Sequence, residues 1–280
     1  MNALGAEPWL LITLALFTGA CVGSFLNVCV ARWPDGQSVV SPPSRCPNCE
    51  SRIAWYDNVP VFGWLRLRGR CRGCAEPISP EYPIVEFVVA LGWLAALILY
   101  GPTFTALRFA VFGTLMFGIA LTDAKHYVIP DGFTVFGLIF LLLGSFVAPF
   151  FQDFGPFASP LDALLGACVG AGVVSIIGWL GEVALKKEAM GFGDVTLMAV
   201  VGAAVGPHRA LLTVFVAAAI AAVVFPLVVY PIAWKRARSA GVEFEPPLVP
   251  FGVFLAPAAV VTLLWGNDLI SWYLTTVLAP

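Results

Sequence analysis

An all-α, polytopic membrane fold with a small metal-binding insert is what this sequence predicts, and three observations predict it. Only 11% of the 280 residues are charged and 60% are hydrophobic, with a mean hydropathy of +0.90; a soluble domain carries roughly 25% charged residues. A water-soluble fold of this length cannot hide so much apolar surface and still keep a polar skin. The apolar residues also fall in long runs between charges, and four of the seven cysteines crowd into the one long loop. With a net charge of −2, two histidines and no basic stretch away from the loops, nothing suggests a nucleic-acid partner.

A bilayer core of about 30 Å takes roughly 20 apolar residues per helix. About eight transmembrane helices are expected, over 8–31, 82–100, 104–122, 128–150, 161–184, 194–207, 210–233 and 250–278. The sixth is short, and the last has a possible earlier end near Trp265. Several runs carry small residues at helical spacing, such as Gly166 with Gly170 and Gly202 with Gly206. In lipid, small residues let helix backbones approach closely, so these predict tight packing.

Orientation follows from the basic residues. Thirteen of the 15 fall in alternate loops: Arg32 to Arg72, Lys125, Lys186 with Lys187, and Lys235 to Arg238; only Arg108 and Arg209 fall on the other side. Positive loops stay in the cytoplasm, so a multi-pass protein of the bacterial cytoplasmic (inner) membrane is expected, with both termini outside the cytoplasm. The first run has no basic residue before it, which favours a retained helix over a cleaved signal peptide. The expected organisation is a first transmembrane helix over 1–31, a cytoplasmic cysteine-rich domain over 32–81, and a seven-helix transmembrane domain over 82–280.

In the insert, Cys46-Pro-Asn-Cys49 and Cys71-Arg-Gly-Cys74 form two C-x2-C knuckles. Two such knuckles supply four sulfurs at tetrahedral spacing for Zn²⁺, with no open coordination position, so the expected metal is structural. A reducing compartment disfavours disulfides between them. Cys21, Cys29 and Cys168 lie in the spans and read as small packing residues. Trp55, Tyr56 and Trp64 between the knuckles fit either a surface at headgroup level or the core of a tiny domain.

Ionisable residues at the ends of membrane helices are costly to bury, and two stand out. Asp123 closes the third run and Asp194 opens the sixth, which places both at one membrane face. If packing brings the carboxylates together, they share a proton and titrate as a pair, one able to activate water and the other to protonate an oxyanion. Gly191 and Gly193, flanking Phe192, would let a substrate backbone come close and permit a hinge. Bland alternatives stand beside this: Asp194 as a helix cap, Asp123 as a headgroup-level charge beside Lys125, and Asp131 in Pro130-Asp-Gly132 as a turn or helix start.

Taken in order, these motifs resemble the type IV prepilin peptidases, the bacterial branch of the GxGD intramembrane aspartyl proteases. The segments that carry the resemblance are Gly23-Ser-Phe-Leu-Asn27, Asp57-Asn-Val-Pro60, Leu67-Arg-Gly-Arg-Cys71, Ile78 to Glu86 with both knuckles, Asp123 with Ile129-Pro-Asp131, Gly191-Phe-Gly-Asp194, and Pro250-Phe-Gly252. Val253 stands where the last signature commonly has Pro. The resemblance implies that Asp123 and Asp194 are the catalytic pair. It implies prepilin or pseudopilin substrates of type IV pili or type II secretion, cut after a Gly where a short basic leader meets a hydrophobic helix. Glu81 and Glu86 are candidates to attract that leader, or plain surface charges. The resemblance also implies N-methylation of the new terminus with S-adenosylmethionine, although no Gly-rich nucleotide loop is legible. Two other classes compete: a proton- or cation-coupled transporter using the two aspartates, and a Zn-ribbon scaffold of a secretion machine. Aspartates at one face, with no evident inverted repeat, weigh against the transporter.

Overall fold

The computed structural model describes residues 8–153, 155–186, 190–240, 244 and 249–278. Among them the regular structure is helical: α1 (Pro8–Arg32), α2 (Phe62–Arg66), α3 (Glu81–Tyr100), α4 (Phe104–His126), α5 (Asp131–Val147), α6 (Pro160–Leu185), α7 (Phe192–Val205), α8 (Pro207–Val224), α9 (Tyr230–Ala240) and α10 (Gly252–Tyr273). The protein is a multi-pass membrane protein. Seven helical stretches among the described residues are long and apolar enough to cross a bilayer. The expected sixth span is α7, whose 14 residues reach about 21 Å at 1.5 Å per residue, short of a roughly 30 Å core.

The chain forms two compact units, Met1–Gly118 and Ile119–Pro280. In the first, α1 lies along α3, and the approach is set by glycine: a Cβ on Gly19 would meet the Ala90 Cα at 2.8 Å, and one on Gly23 the Glu86 Cα at 2.7 Å. Asn27 ties the same pair by donating from Nδ2 to the Tyr82 carbonyl at 3.1 Å. Trp93 donates to the Thr114 hydroxyl at 3.1 Å, which satisfies the indole N–H between α3 and α4.

In the second unit α7 is the centre. Leu197, Met198, Val200, Val201, Ala203 and Ala204 are fully buried, with α5, α6, α8 and α10 packed around them. A helix buried all round needs no span of its own, which accounts for its shortness. Its tightest neighbour is α6: a Cβ on Gly166 would overlap the Gly202 carbonyl, one on Gly202 the Gly166 carbonyl, and one on Gly170 the Met198 carbonyl. The small residues seen in the sequence are therefore the seam between these two helices. Leu161, Leu164, Leu165, Trp179 and Leu180 on α6 face outward, as side chains against lipid do.

Three expectations change. The last helix runs through Trp265 to Tyr273 and continues as a wider turn to Leu278, so it has no early end. Of the three span cysteines only Cys29 packs inside; Cys21 and Cys168 lie on outward faces. Glu86 is buried rather than a surface charge, for reasons given below.

The α6–α7 seam gives a graded test. Gly202→Val must push two helix backbones apart and should lower the thermal midpoint of the purified protein by the equivalent of about 1–3 kcal/mol or more. Gly172→Ala, on α6 and with nothing within 4 Å of the new methyl, should leave the midpoint unchanged or raise it.

Candidate functional site

Asp123 sits in the last turn of α4 with only 6% of its surface exposed. A carboxylate so enclosed needs donors, and the start of α10 provides them. Oδ2 accepts the N–H of Val253 at 3.1 Å, and the N–H of Gly252 also points at it. The first N–H groups of a helix have no partner within the helix and carry the positive end of its dipole, which suits them to hold an anion. A Cβ at 252 would lie 2.8 Å from Asp123 Oδ2 and 3.0 Å from Ile129 Cδ1, so glycine leaves both side chains where they are and anything larger must displace them.

Asp194 is the third residue of α7, and its carboxylate turns back to accept the N–H of Gly191, the residue that caps the helix. The capping alternative therefore describes real geometry: the side chain serves the helix start as half of a capping box does. It does so while standing within Coulombic reach of Asp123. Ile129 is the wedge that spaces the site. It packs against Gly252 on one side and Gly193 on the other, where a Cβ would come within 2.9 Å of Ile129 Cβ. Asp123, Asp194, Gly193, Ile129 and Gly252 thus form one cluster in which three helix ends meet. Asp131 opens α5 as its first residue, in agreement with the helix-start alternative.

The two glycines before Asp194 differ. Gly193 is held close by Ile129, whereas the nearest atom to a Cβ on Gly191 is Asp194 Oδ2 at 3.9 Å. Ile129, Gly252 and Val253 were not singled out as site residues by residue chemistry. Their signal was faint: an apolar residue before Pro130, and a Gly at the start of a span.

The four insert cysteines form a second cluster, able to hold a metal ion, with every sulfur within 4.8 Å of the others. The two knuckles are built alike. In each, the first cysteine's N–H donates to the carbonyl five residues on (Cys46 to Ser51, Cys71 to Glu76), and the residue after the second cysteine donates back (Glu50, Ala75). That last residue takes a positive φ in both, +55° at Glu50 and +58° at Ala75. Single β-bridges, Arg45 with Arg52 and Arg70 with Pro77, close the two knuckles. Sulfur separations of 3.8 Å (Cys46 to Cys74) and 3.9 Å (Cys49 to Cys71) suit a tetrahedral ion; bonds of about 2.3 Å put two thiolates about 3.8 Å apart. Backbone N–H groups of Cys74 and Gly73 pull the Cys71 thiol down to about 6, in the direction that favours thiolate.

Two carboxylates fasten this insert. Asp57, its side chain 4% exposed, takes a two-pronged bond from Arg72 at 2.5 and 2.6 Å, and that guanidinium holds the Asp57 carboxyl below its usual range. Glu86 on α3 accepts the N–H of Val61 at 2.6 Å. Val61 has a positive φ of +62°, rare for a β-branched residue. Glu86 therefore anchors the insert, and this use is what buries it. Trp64 packs within the insert, its indole N–H donating to the Ile78 carbonyl, whereas Trp55 is 82% exposed.

The packing on Ile129 separates the two glycines by experiment. Gly193→Ala should lower the thermal midpoint in detergent, at a cost typical of overpacking, about 1–3 kcal/mol. Gly191→Ala, with φ −73° and open space, should cost less than half as much.

With this geometry in place, the comparisons with known proteins are specific. The Bacterial Peptidase A24 N-terminal domain matches residues 17–100, and the Type IV leader peptidase family matches residues 110–227. A Prepilin leader peptidase/N-methyltransferase of Aeromonas hydrophila is 32% identical over 97% of this chain and 96% of its own length. One from Pseudomonas aeruginosa is 31% identical over 98% and 97%. One from Myxococcus xanthus is 41% identical over 66% of this chain, and that match spans about half, 53%, of the relative's own length. No solved structure matches. Both matched regions and the full-length relatives agree, and the chain belongs to the type IV leader peptidase family.

Proposed function

We propose that this protein is an intramembrane aspartyl endopeptidase that removes the leader from type IV prepilins or pseudopilins and N-methylates the new terminus. The observation that carries the reading is the meeting of Asp123 and Asp194 at the junction of three helix ends, in a chain that belongs to a leader peptidase family.

The chemistry assigns each carboxyl a task. One, ionised, takes a proton from water as the water oxygen adds to the scissile carbonyl carbon; the other, protonated, gives its proton to the carbonyl oxygen. Collapse of the tetrahedral intermediate reforms C=O and breaks C–N: the departing amine leaves with the proton that the first carboxyl took, and the hydroxyl that becomes C=O returns its proton to the second carboxyl, which restores the pair. The N–H groups of Gly252, Val253 and Gly191 hold the carboxylates in place through this exchange, so their orientation need not be organised anew at each step. The positive-inside pattern supports placing this site at the cytoplasmic face of the inner membrane, with both termini outside, where a basic leader meets its hydrophobic helix.

Cys46, Cys49, Cys71 and Cys74 would hold a structural Zn²⁺, which supplies cross-linking of the insert and, with all four positions filled, no catalysis. N-methylation, with S-adenosylmethionine as donor, is supported by relatives that are N-methyltransferases as well as leader peptidases, and no described residue is assigned to the donor. The transporter alternative finds no support beside membership of a peptidase family.

Asp123→Asn and Asp194→Asn should each lower cleavage of a co-expressed prepilin by at least about 100-fold, the usual scale of a positioned acid or base, at unchanged protein levels. Full processing by either variant refutes the assignment. Mass spectrometry of the product reads cleavage position and methylation together. Elemental analysis should find one zinc per chain, and Cys46→Ser with Cys71→Ser should abolish it and open residues 44–78 to proteolysis. Metal-free protein with an intact, protease-resistant insert would remove zinc from the reading.

A further inference from the structure

The cysteine insert leaves apolar surface uncovered on one side. Helix α2 sorts its side chains: Gly63 packs on the Asp57 carbonyl, and Trp64 lies over Gly69 and donates to the Ile78 carbonyl at 3.0 Å. Phe62 and Leu65, three residues apart and so on one face, are 72% and 56% exposed. Arg66 shares that face, and its guanidinium lies 5.8 Å from the centre of the Tyr56 ring, with Trp55 edge-on to Tyr56 at 5.7 Å. Phe62, Leu65, Arg66, Tyr56 and Trp55 therefore make one continuous patch. Residues 62–72 carry four arginines and no carboxylate, and Arg66, Arg68 and Arg70 are exposed.

The depth of this patch follows from its anchor. The Val61 N–H is bonded to Glu86, five residues inside α3 from Glu81, which is about 7.5 Å along the helix axis. Phe62 is thus held beside the second turn of a membrane-spanning helix, at the level where headgroups give way to acyl chains. Exposed aromatic and aliphatic side chains ringed by guanidinium groups are what that boundary accepts: rings at the interface, arginines on phosphate. A basic leader would be repelled by the same arginines, so the charge complement is an anionic lipid and not the proposed substrate.

We infer that Trp55, Tyr56, Phe62 and Leu65, with Arg66, Arg68 and Arg70, form a lipid-binding face that seats the metal-bearing insert on anionic phospholipid headgroups. The assignment is independent of the peptidase reading, because it concerns how the insert is held and not what the aspartates do.

The test uses the full-length, metal-loaded protein in nanodiscs of phosphatidylcholine alone or of an equal mixture with phosphatidylglycerol. Amide hydrogen exchange over residues 55–70 should be at least about five-fold slower in the anionic discs, the effect of one well-placed arginine, and the difference should vanish in 1 M salt. The triple variant Arg66→Gln, Arg68→Gln, Arg70→Gln should lose the lipid dependence while keeping its metal content. Phe62→Ser with Leu65→Ser should speed exchange in both discs. Equal exchange of the unaltered protein in the two lipids overturns the inference without recourse to any variant. Protection that appears only on adding a leader-bearing peptide overturns it too, in favour of a protein partner.

Discussion

Placing carboxylates at the edge of a membrane bundle, away from bulk water, is the constraint on which this structure turns. An enclosed acid is tolerable only where donors meet it, and here the donors are backbone N–H groups at helix starts. Asp123 ends α4 and is received by the opening N–H groups of α10; Asp194 opens α7 and is received by the Gly191 N–H before it. Among the described residues, the donors seen on these two carboxylates are backbone N–H groups. For the proposed proton-transfer pair that is apt, since a lysine or arginine in contact would lock one partner in the ionised form.

Close packing makes that arrangement possible. Three elements converge on Ile129, and they do so because Gly193 and Gly252 have no side chain to keep them apart. Behind them, the Gly166–Gly202 seam lets α6 lie directly on α7, so α7 is clasped from Leu197 to Val205, and its first turn is held by the contact of Gly193 with Ile129. The short central helix is thus a mount for Asp194 rather than an ordinary span.

The insert follows a parallel logic at smaller scale. About 50 residues with almost no regular structure cannot build a sufficient hydrophobic core, and a metal ion held by the four clustered cysteines would compensate for that. Two more acids, Asp57 and Glu86, then fix the loop between the knuckles, one to Arg72 and one to the Val61 N–H. Glu86 shows how a residue's sequence context can mislead: next to a charged loop it reads as a surface acid, but a backbone donor 25 residues earlier in the chain takes it inside.

Much of this was legible in one dimension. Hydropathy marked the spans because a bilayer demands apolar runs of fixed length, knuckle spacing marked the cysteine cluster because tetrahedral sulfur needs two tight turns, and Asp123 and Asp194 stood out because charge is rare at span ends. The roles of Ile129, Gly252, Val253 and Glu86, the outward faces of Cys21 and Cys168, and the different exposure of Trp55 and Trp64 were not legible. Each depends on which distant segment lies alongside, and that choice is made by packing between residues up to 130 positions apart. Composition and spacing determined what kinds of groups the molecule has; only the tertiary contacts decided that Asp123 and Glu86 would find the distant backbone N–H groups of Val253 and Val61.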